Sequence, residues 1–539
     1  PVDPNVLYTS SQHVWMTTTQ GQTWTRISGD LTRHDPKTMG PSGGPITGDM
    51  NGPEIYGTVF ALGPGKTDVN ILWAGSDDGL VHVTRDGGKT WENVTPKEMP
   101  EFGRVSQIDA SRFNPGTAYV SVRKPLLDDL RPYIFRTHDF GKTWTKIVNG
   151  LGPTDYVHVV REDRKRKGML YAGTQHGFYV SFDDGDNWQP LSLNLPDVPV
   201  SDAWVEDDSI AISTHGRSFY VLDNLSLLRQ SDQAHAAANA YLFEPPDAIR
   251  GTGGVTFTYL LKKPAQKLTL DVLDAAGQVI FTAVGTPPQG RGARGGGGAP
   301  AAAQAGAGGG GGRGGRGGPP AASLEPGVNR VTWGLTYPGA TTFPGMILWG
   351  ASTNGPAAPP GQYQVRLTAD GTVLTQPLTV RRHPWRSATD ADLKEQFELA
   401  LQIRDKLSEA NNAVIQIRRI KEEVAARTAK LSNTRLKRAG ERLVTSLTAI
   451  EEEIYQTRNQ SGQDPLNFPI KINNRIASLN RVVNAGDGKP IAVAYEIFKD
   501  VSAELKVQTD RLEQVLATDL AAFNAEAKRA GVSAIEVTR

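Results

Sequence analysis

The sequence predicts a multidomain, mainly β chain: β-propeller blades, then an immunoglobulin- or fibronectin-like β-sandwich, then a C-terminal α-helical bundle. Three observations predict this. A turn motif recurs through residues 1–230, strand-like alternation flanks a Gly/Arg-rich run between 231 and 384, and helical spacing takes over from 385 to 539.

The motif has the form S/T-x-D-x-G-x-T-W. It stands at Thr84–Trp91 and Thr137–Trp144, again at Ser181–Trp188, and in degraded form at Thr17–Trp24, where Thr19 replaces the Asp. Its chemistry is that of a turn. Asp86, Asp139 and Asp183 accept hydrogen bonds from the turn backbone, the Gly takes a left-handed conformation, and Trp91, Trp144 and Trp188 fold back between sheets. Short β patterns precede the copies at Leu80–Val83, Tyr133–Phe135 and Phe178–Val180. Each copy is therefore a hairpin turn, and repeated four-stranded units make a propeller.

Through these residues the chain resembles Asp-box (BNR) repeat propeller proteins of the sialidase-like and sortilin-like kind. It is similar to large secreted bacterial proteins labelled glycosyl hydrolase or sortilin N-terminal domain-containing. The resemblance covers residues 1–230 through the boxes and extends more softly through Pro344–Trp349 and Pro360–Val365 into the helical tail. It implies a periplasmic or extracellular protein, and it implies a fold far more than an activity.

Bulk properties bound the possibilities. With 539 residues the chain exceeds one core. Its 58 basic and 57 acidic residues leave no global field that would argue for nucleic acid or a membrane surface. No apolar run approaches the roughly 18 residues of a transmembrane helix. The absence of cysteine excludes disulfides and cysteine catalysis. The start at Pro1, without a signal peptide, suggests a processed, truncated or partial chain.

In order, residues 1–30 read as the outer three strands of a blade, followed by blades at roughly 51–96, 104–149, 154–194 and 198–228. Four whole blades and a partial one make an arc rather than a ring. A preceding propeller segment or a partner subunit is expected to complete it. Residues 31–52 read as a long loop. Val255–Tyr259, Leu268–Leu273, Val328–Thr336, Gln362–Thr368 and Pro377–Val380 alternate as the strands of the Ig-like sandwich within 231–384. That sandwich is split by the Gly/Arg-rich loop 287–320, which offers no face to bury and whose GxG patterns are compositional. Thr389–Asp392 caps a helix, and further helices are expected at 433–459, 467–484 and 490–529.

Blade geometry sorts the candidate site residues. The boxes join third and fourth strands, so all lie at one face. The turns joining second and third strands lie at the opposite face, with the segments leading into the inner strands. There fall Asp77, Asp78, His176, His215 and Arg217, together with Glu54, Tyr56, Arg104, Tyr156 and His158. A ligand would bind at this convergent polar set, with His176, His215, Arg217, Arg104 and Tyr156 as its contacts. A glycosidase needs two carboxylates about 5–10 Å apart, and Glu54 with Asp77 or Asp78 is the only pairing available. Asp86, Asp139 and Asp183 face the other way and are structural. No metal-ligand spacing occurs and no cofactor is implied. The basic run Arg161–Lys167 reads as a solvated loop. The expected function is binding of a protein or glycan at the face opposite the boxes. The rivals are a two-propeller glycoside hydrolase whose cleft is completed elsewhere, and an architectural subunit of a larger assembly.

Overall fold

The computed structural model describes residues 2–45, 48–49, 55–287, 320–429 and 433–536. Two compact units divide the chain, Pro1–Ser231 and Asp232–Arg539. Glu54 and nearly all of the Gly/Arg-rich run 287–320 lie outside the described residues.

The first unit is a series of antiparallel meanders in chain order. The first sheet has three strands, Leu7–Ser10, Val14–Thr17 and Thr25–Arg26. Three four-stranded sheets follow. The second is Val59–Pro64, Leu72–Ser76, Val81–Thr84 and Glu92–Asn93. The third is Arg104–Ala110, Ala118–Lys124, Asp129–Thr137 and Thr145–Lys146. The fourth is Val157–Glu162, Leu170–Thr174, Gly177–Ser181 and Gln189–Pro190. The fifth has three strands, Val200–Val205, Ser209–Thr214 and Phe219–Asp223.

From the second sheet to the fifth, the first strands of successive sheets contact one another. This is the arrangement that β-propeller blades share. Apolar residues on facing sheets build the core between them. Val81, Trp73 and Val83 meet Val105, Ile108 and Val120, while Tyr171, Phe178 and Val180 meet Val200, Ala203 and Ile212. Burying a side chain such as Phe178 contributes about 2–3 kcal/mol. Each of these four first strands also carries one extra residue: Phe60, Ser106, His158 and Ser201 stand where the register slips against the second strand. Such bulges re-aim side chains.

The recurring turns lock each sheet to the one before it. Asp86 Oδ1 accepts from the Thr90 amide at 2.9 Å, its Oδ2 accepts from the Thr90 hydroxyl at 2.7 Å, and the Thr84 hydroxyl accepts from the Gly88 amide at 2.9 Å. Asp139 and Asp183 repeat the pattern with Thr143 and Asn187. These hydrogen bonds hold the Asp86 carboxyl down at about 2. Each indole then reaches back one repeat. Trp91 donates to the Ile27 carbonyl at 2.8 Å, Trp144 to Val94 at 2.6 Å and Trp188 to Ile147 at 3.0 Å. The motif glycines sit on the same three residues, so a Cβ on Gly88, Gly141 or Gly185 would fall within 3 Å of Ile27, Val94 or Ile147. In the degraded copy Thr19 does the work of the Asp, accepting from the Thr23 amide at 3.0 Å, and Trp24 is exposed.

The basic run is not a free loop. Arg161 donates to the Ala203 carbonyl and pairs with Asp202, Arg164 pairs with Glu206, and Lys165 pairs with Asp208. Asp163, fully buried, is held by Arg229 at 2.9 and 3.0 Å. The charges of Arg161, Arg164 and Lys165 are thus met by acidic residues of the fifth sheet, Asp202, Glu206 and Asp208.

In the second unit, a three-stranded sheet (Ala240–Leu242, Val255–Leu261, Gly327–Trp333) and a six-stranded sheet share a core. The six-stranded sheet runs in the order Ala248–Ile249, Thr372–Arg381, Gly361–Ala369, Leu268–Leu273, Val279–Thr286, Ala321–Ser323, and Phe257, Tyr259, Leu270, Val365 and Trp333 fill the space between. The helices are Asp390–Thr428, Thr434–Ile454, Ile472–Val483 and Ala492–Val515, the last continuing to Arg529. Thr389 and Asp392 cap the first helix reciprocally. The stretch from Ala340 to Leu348 belongs to the helical core, with the Trp349 amide donating to Asn474 Oδ1 at 2.7 Å. Sheets and helices thus share one compact unit through that stretch. Among the described residues no helix is long and apolar enough to cross a membrane.

Candidate functional site

A cavity of about 320 Å³ opens where the segments leading into the first strands meet the turns between second and third strands. Tyr56, Phe102, Arg104, Arg123, Lys124, Pro125, Leu126, Leu127, Tyr156, His158, Gln175, Pro199 and His215 line it. Second-to-third-strand turns are tight in the second, fourth and fifth sheets, closing at Ser76–Leu80, Thr174–Gly177 and Thr214–Ser218. In the third sheet the connection is longer. Pro125–Leu127 forms a 3₁₀ turn, Asp128 takes a left-handed φ of 58°, and Lys124 and Asp129 are opposite each other in the strand register beyond it. The longer turn carries Leu126, 80% exposed, and half-exposed Leu127 as a lip.

The bulges decide what reaches the cavity. In the third and fifth sheets the bulged residue is a serine bonded within its own sheet, Ser106 to Ser121 and Ser201 to Ser213. In the fourth sheet it is His158, 6% exposed, whose ring lies 5.1 Å from Tyr156 and 6.0 Å from His215. Arg123 Nη1 lies 2.9 Å from His158 Nδ1. A guanidinium can only donate, so Nδ1 accepts and the ring proton sits on Nε2. Burial, then the Arg123 charge, lowers His158 to about 4. Burial, then the charge of Arg104, holds the Arg123 guanidinium below its usual range. Arg104 itself lies over the Phe60 ring at 4.8 Å. Among the described residues no carboxylate belongs to the lining.

Of the residues singled out from sequence, Tyr56, Arg104, Tyr156, His158 and His215 come together here. His176 and Arg217 do not line the cavity. His176 is exposed beside Asp197, and Arg217 is exposed with no ion pair among the described residues. Asp77 and Asp78 are buried and already engaged. Asp77 Oδ1 accepts from the Gly57 and Thr58 amides at 3.0 and 2.9 Å, and burial raises its carboxyl. Asp78 accepts from the Ser76 hydroxyl and the Arg33 amide. Sequence reasoning missed Arg123, Lys124 and the Leu126–Leu127 lip. The Pro125 that ends the strand after Lys124 is the signal that could have found them. No group of three or more His, Asp or Glu placed to hold a metal occurs among the described residues.

The chain is thus a mainly β protein of serially packed antiparallel sheets with a C-terminal helical region and one basic cavity at the sheet ends. No protein-family model and no curated protein matches it. Among solved structures it is similar to YCF48 bound to D1 peptide, at 15% identity over 49% of this chain and 74% of that one, with a TM-score of 0.27. It is also similar to the GH74 xyloglucanase from Xanthomonas campestris, at 13% identity over 53% and 46%, with a TM-score of 0.29. A third is the Myceliophteria thermophila Cps50 (Swd1) beta-propeller domain, at 9% identity over 52% and 82%, with a TM-score of 0.30. The chain spans less than half the length of the GH74 enzyme.

Proposed function

We propose that residues 1–230 are propeller blades of the Asp-box, sortilin-like kind, and that they bind a protein or glycan in the cavity at the ends opposite the boxes. The observation that carries this reading is the cavity itself. It is concave and partly apolar, and a few polar groups converge on it from three sheets, as ligand sites require. A glycoside hydrolase needs two free carboxylates at its cleft. Among the described residues the lining supplies none, and Asp77 and Asp78 are held by backbone donors. Binding is therefore the better-supported role.

The three-part division into blades to 230, an Ig-like sandwich to 384 and a helical bundle to 539 belongs to the same proposal, as does a secreted bacterial origin. So does an outside sheet covering the fifth. Phe219 is 76% exposed, whereas its register equivalents Val81, Ile134 and Phe178 are buried under the following sheet. Trp204 and Val221 are likewise 62% and 61% exposed on that face. A further sheet from outside residues 1–231, aliphatic on its facing side, would bury them.

Two measurements test the function. Tyr156→Ala with His215→Ala should abolish capture on a mixed peptide and glycan array without lowering the unfolding temperature. Incubation with polysaccharides should release no reducing sugar. Release that Glu54→Gln or Asp77→Asn abolishes would establish the hydrolase instead.

A further inference from the structure

The cavity's charge and its shape together narrow the ligand beyond a protein or a glycan. Arg104, Arg123 and Lys124 stand in one wall, and among the described residues none of them makes an ion pair with a carboxylate. Asp77, which feels the Arg104 charge, and Asp78 lie outside the lining and accept from the Gly57, Thr58 and Arg33 amides. The Arg104 and Arg123 charges repel one another across the cavity wall, and an anion entering the cavity relieves that repulsion. His158 adds a neutral donor. Its Nδ1 is taken by Arg123, and its Nε2 lies beside the Gln175 side chain on a buried ring.

The rest of the lining decides the ligand's class. A neutral sugar presents hydroxyls that need acceptors as well as donors. The ionic side chains here only donate, and among the described residues the lining's side-chain acceptors are limited to Gln175, the tyrosine hydroxyls and the histidines. The rim is aliphatic and aromatic instead, with Leu126 and Leu127 exposed at the mouth and Pro125 and Phe102 behind them. An extended peptide matches both properties, one residue supplying the anion and its neighbours the apolar contacts.

We propose that the cavity recognises an acidic side chain of an extended peptide, its carboxylate held by Arg104, Arg123, Lys124 and the His158 ring, with flanking apolar residues on the Leu126–Leu127 lip. This rests on the reading of the cavity as the ligand site. A carboxylate desolvated between guanidinium groups forms charge-assisted hydrogen bonds of the strong kind.

The test uses the whole chain against immobilised short peptides, graded from acidic-aliphatic through neutral to basic, and against neutral and uronic-acid oligosaccharides. Acidic-aliphatic peptides should be captured, less so as salt is added. Arg104→Gln with Lys124→Gln should weaken capture at least about thirtyfold, the loss expected when a close charge pair is broken. Leu126→Asp, on a side chain too exposed to matter for folding, should weaken it as well. Arg85→Gln, an exposed residue at the opposite sheet ends, should leave it unchanged. Preferential capture of oligosaccharides, lost in the same variants, would overturn the peptide assignment and leave the cavity reading standing. Peptide capture indifferent to both Leu126→Asp and the double variant would overturn the cavity reading too, as would no capture of any probe.

Discussion

Gly141→Ala should be far more damaging than an alanine at a turn glycine usually is, and the structure gives the size of the effect. Gly141 has a φ of +80°, a conformation that costs an L residue about 1–2 kcal/mol. The added Cβ would also lie 2.6 Å from Val94 Cβ on the preceding sheet, against an ordinary carbon contact of about 3.5–4.0 Å. Forcing that atom into a packed interface adds about 1–3 kcal/mol, because Val94 is buried and its carbonyl receives the Trp144 indole. The total is about 2–5 kcal/mol. Gly216→Ala is the matched control. Its φ is +84° and its Cβ would meet nothing within 4 Å, so only the conformational part of about 1–2 kcal/mol remains. Urea unfolding of both variants measures the difference, and hydrogen exchange over residues 104–149 places it at the third sheet. Adding Val94→Ala to Gly141→Ala removes the two Val94 Cγ atoms but leaves its Cβ in place, so only part of the steric loss should return as a coupling energy. Equal losses in Gly141→Ala and Gly216→Ala would refute the idea that the turn glycine exists for close approach between sheets.

Other expectations follow from particular side chains. The Asp86 carboxyl is held near 2 in the fold and returns to about 4 when unfolded. Its stabilisation is therefore complete above about pH 4 and is lost as pH falls toward 2, and Asp86→Asn should flatten acid unfolding in that window. His158, lowered to about 4, should show no protonation by NMR between pH 7 and 5. Because protonation is disfavoured in the fold, it should withdraw stability as pH falls from about 6.5 toward 4. Arg229→Met strands the fully buried Asp163 and should cost about 3–5 kcal/mol in thermal unfolding, whereas Arg85→Gln, from an exposed pair with Glu92, should cost under about 1.

The blades were legible because their signal is local and repeated. Thr84, Asp86, Gly88 and Thr90 bond one another within a few residues, so their spacing in sequence is already their geometry. The cavity was half legible for the opposite reason. Arg104, Tyr156 and His215 stand where the chain enters or leaves a strand, which sequence reading can locate. His158 was placed at this face too, but its pairing with Arg123 depends on register: a one-residue bulge decides that His158 turns toward Arg123, and no composition marks it. The partners of the basic run escaped similarly, since Arg164 meets Glu206 across 42 residues and four strands. Asp77 and Asp78 show the limit of reading chemistry from residue type. The same carboxylates that suggest a catalytic pair are spent on amides of the residues around them.

The backward reach of the three indoles has a consequence for how the chain is made. Ile27, Val94 and Ile147 all precede the tryptophans that bind them. During synthesis every such latch therefore finds its acceptor already emerged from the ribosome, and none waits for sequence still to be translated. Each new meander can fasten onto a finished neighbour as soon as its own turn is free, so growth is vectorial, from the amino end toward the fifth sheet. A half-made chain then exposes one unfinished face at a time rather than many, which limits the chance of its sticking to another nascent copy.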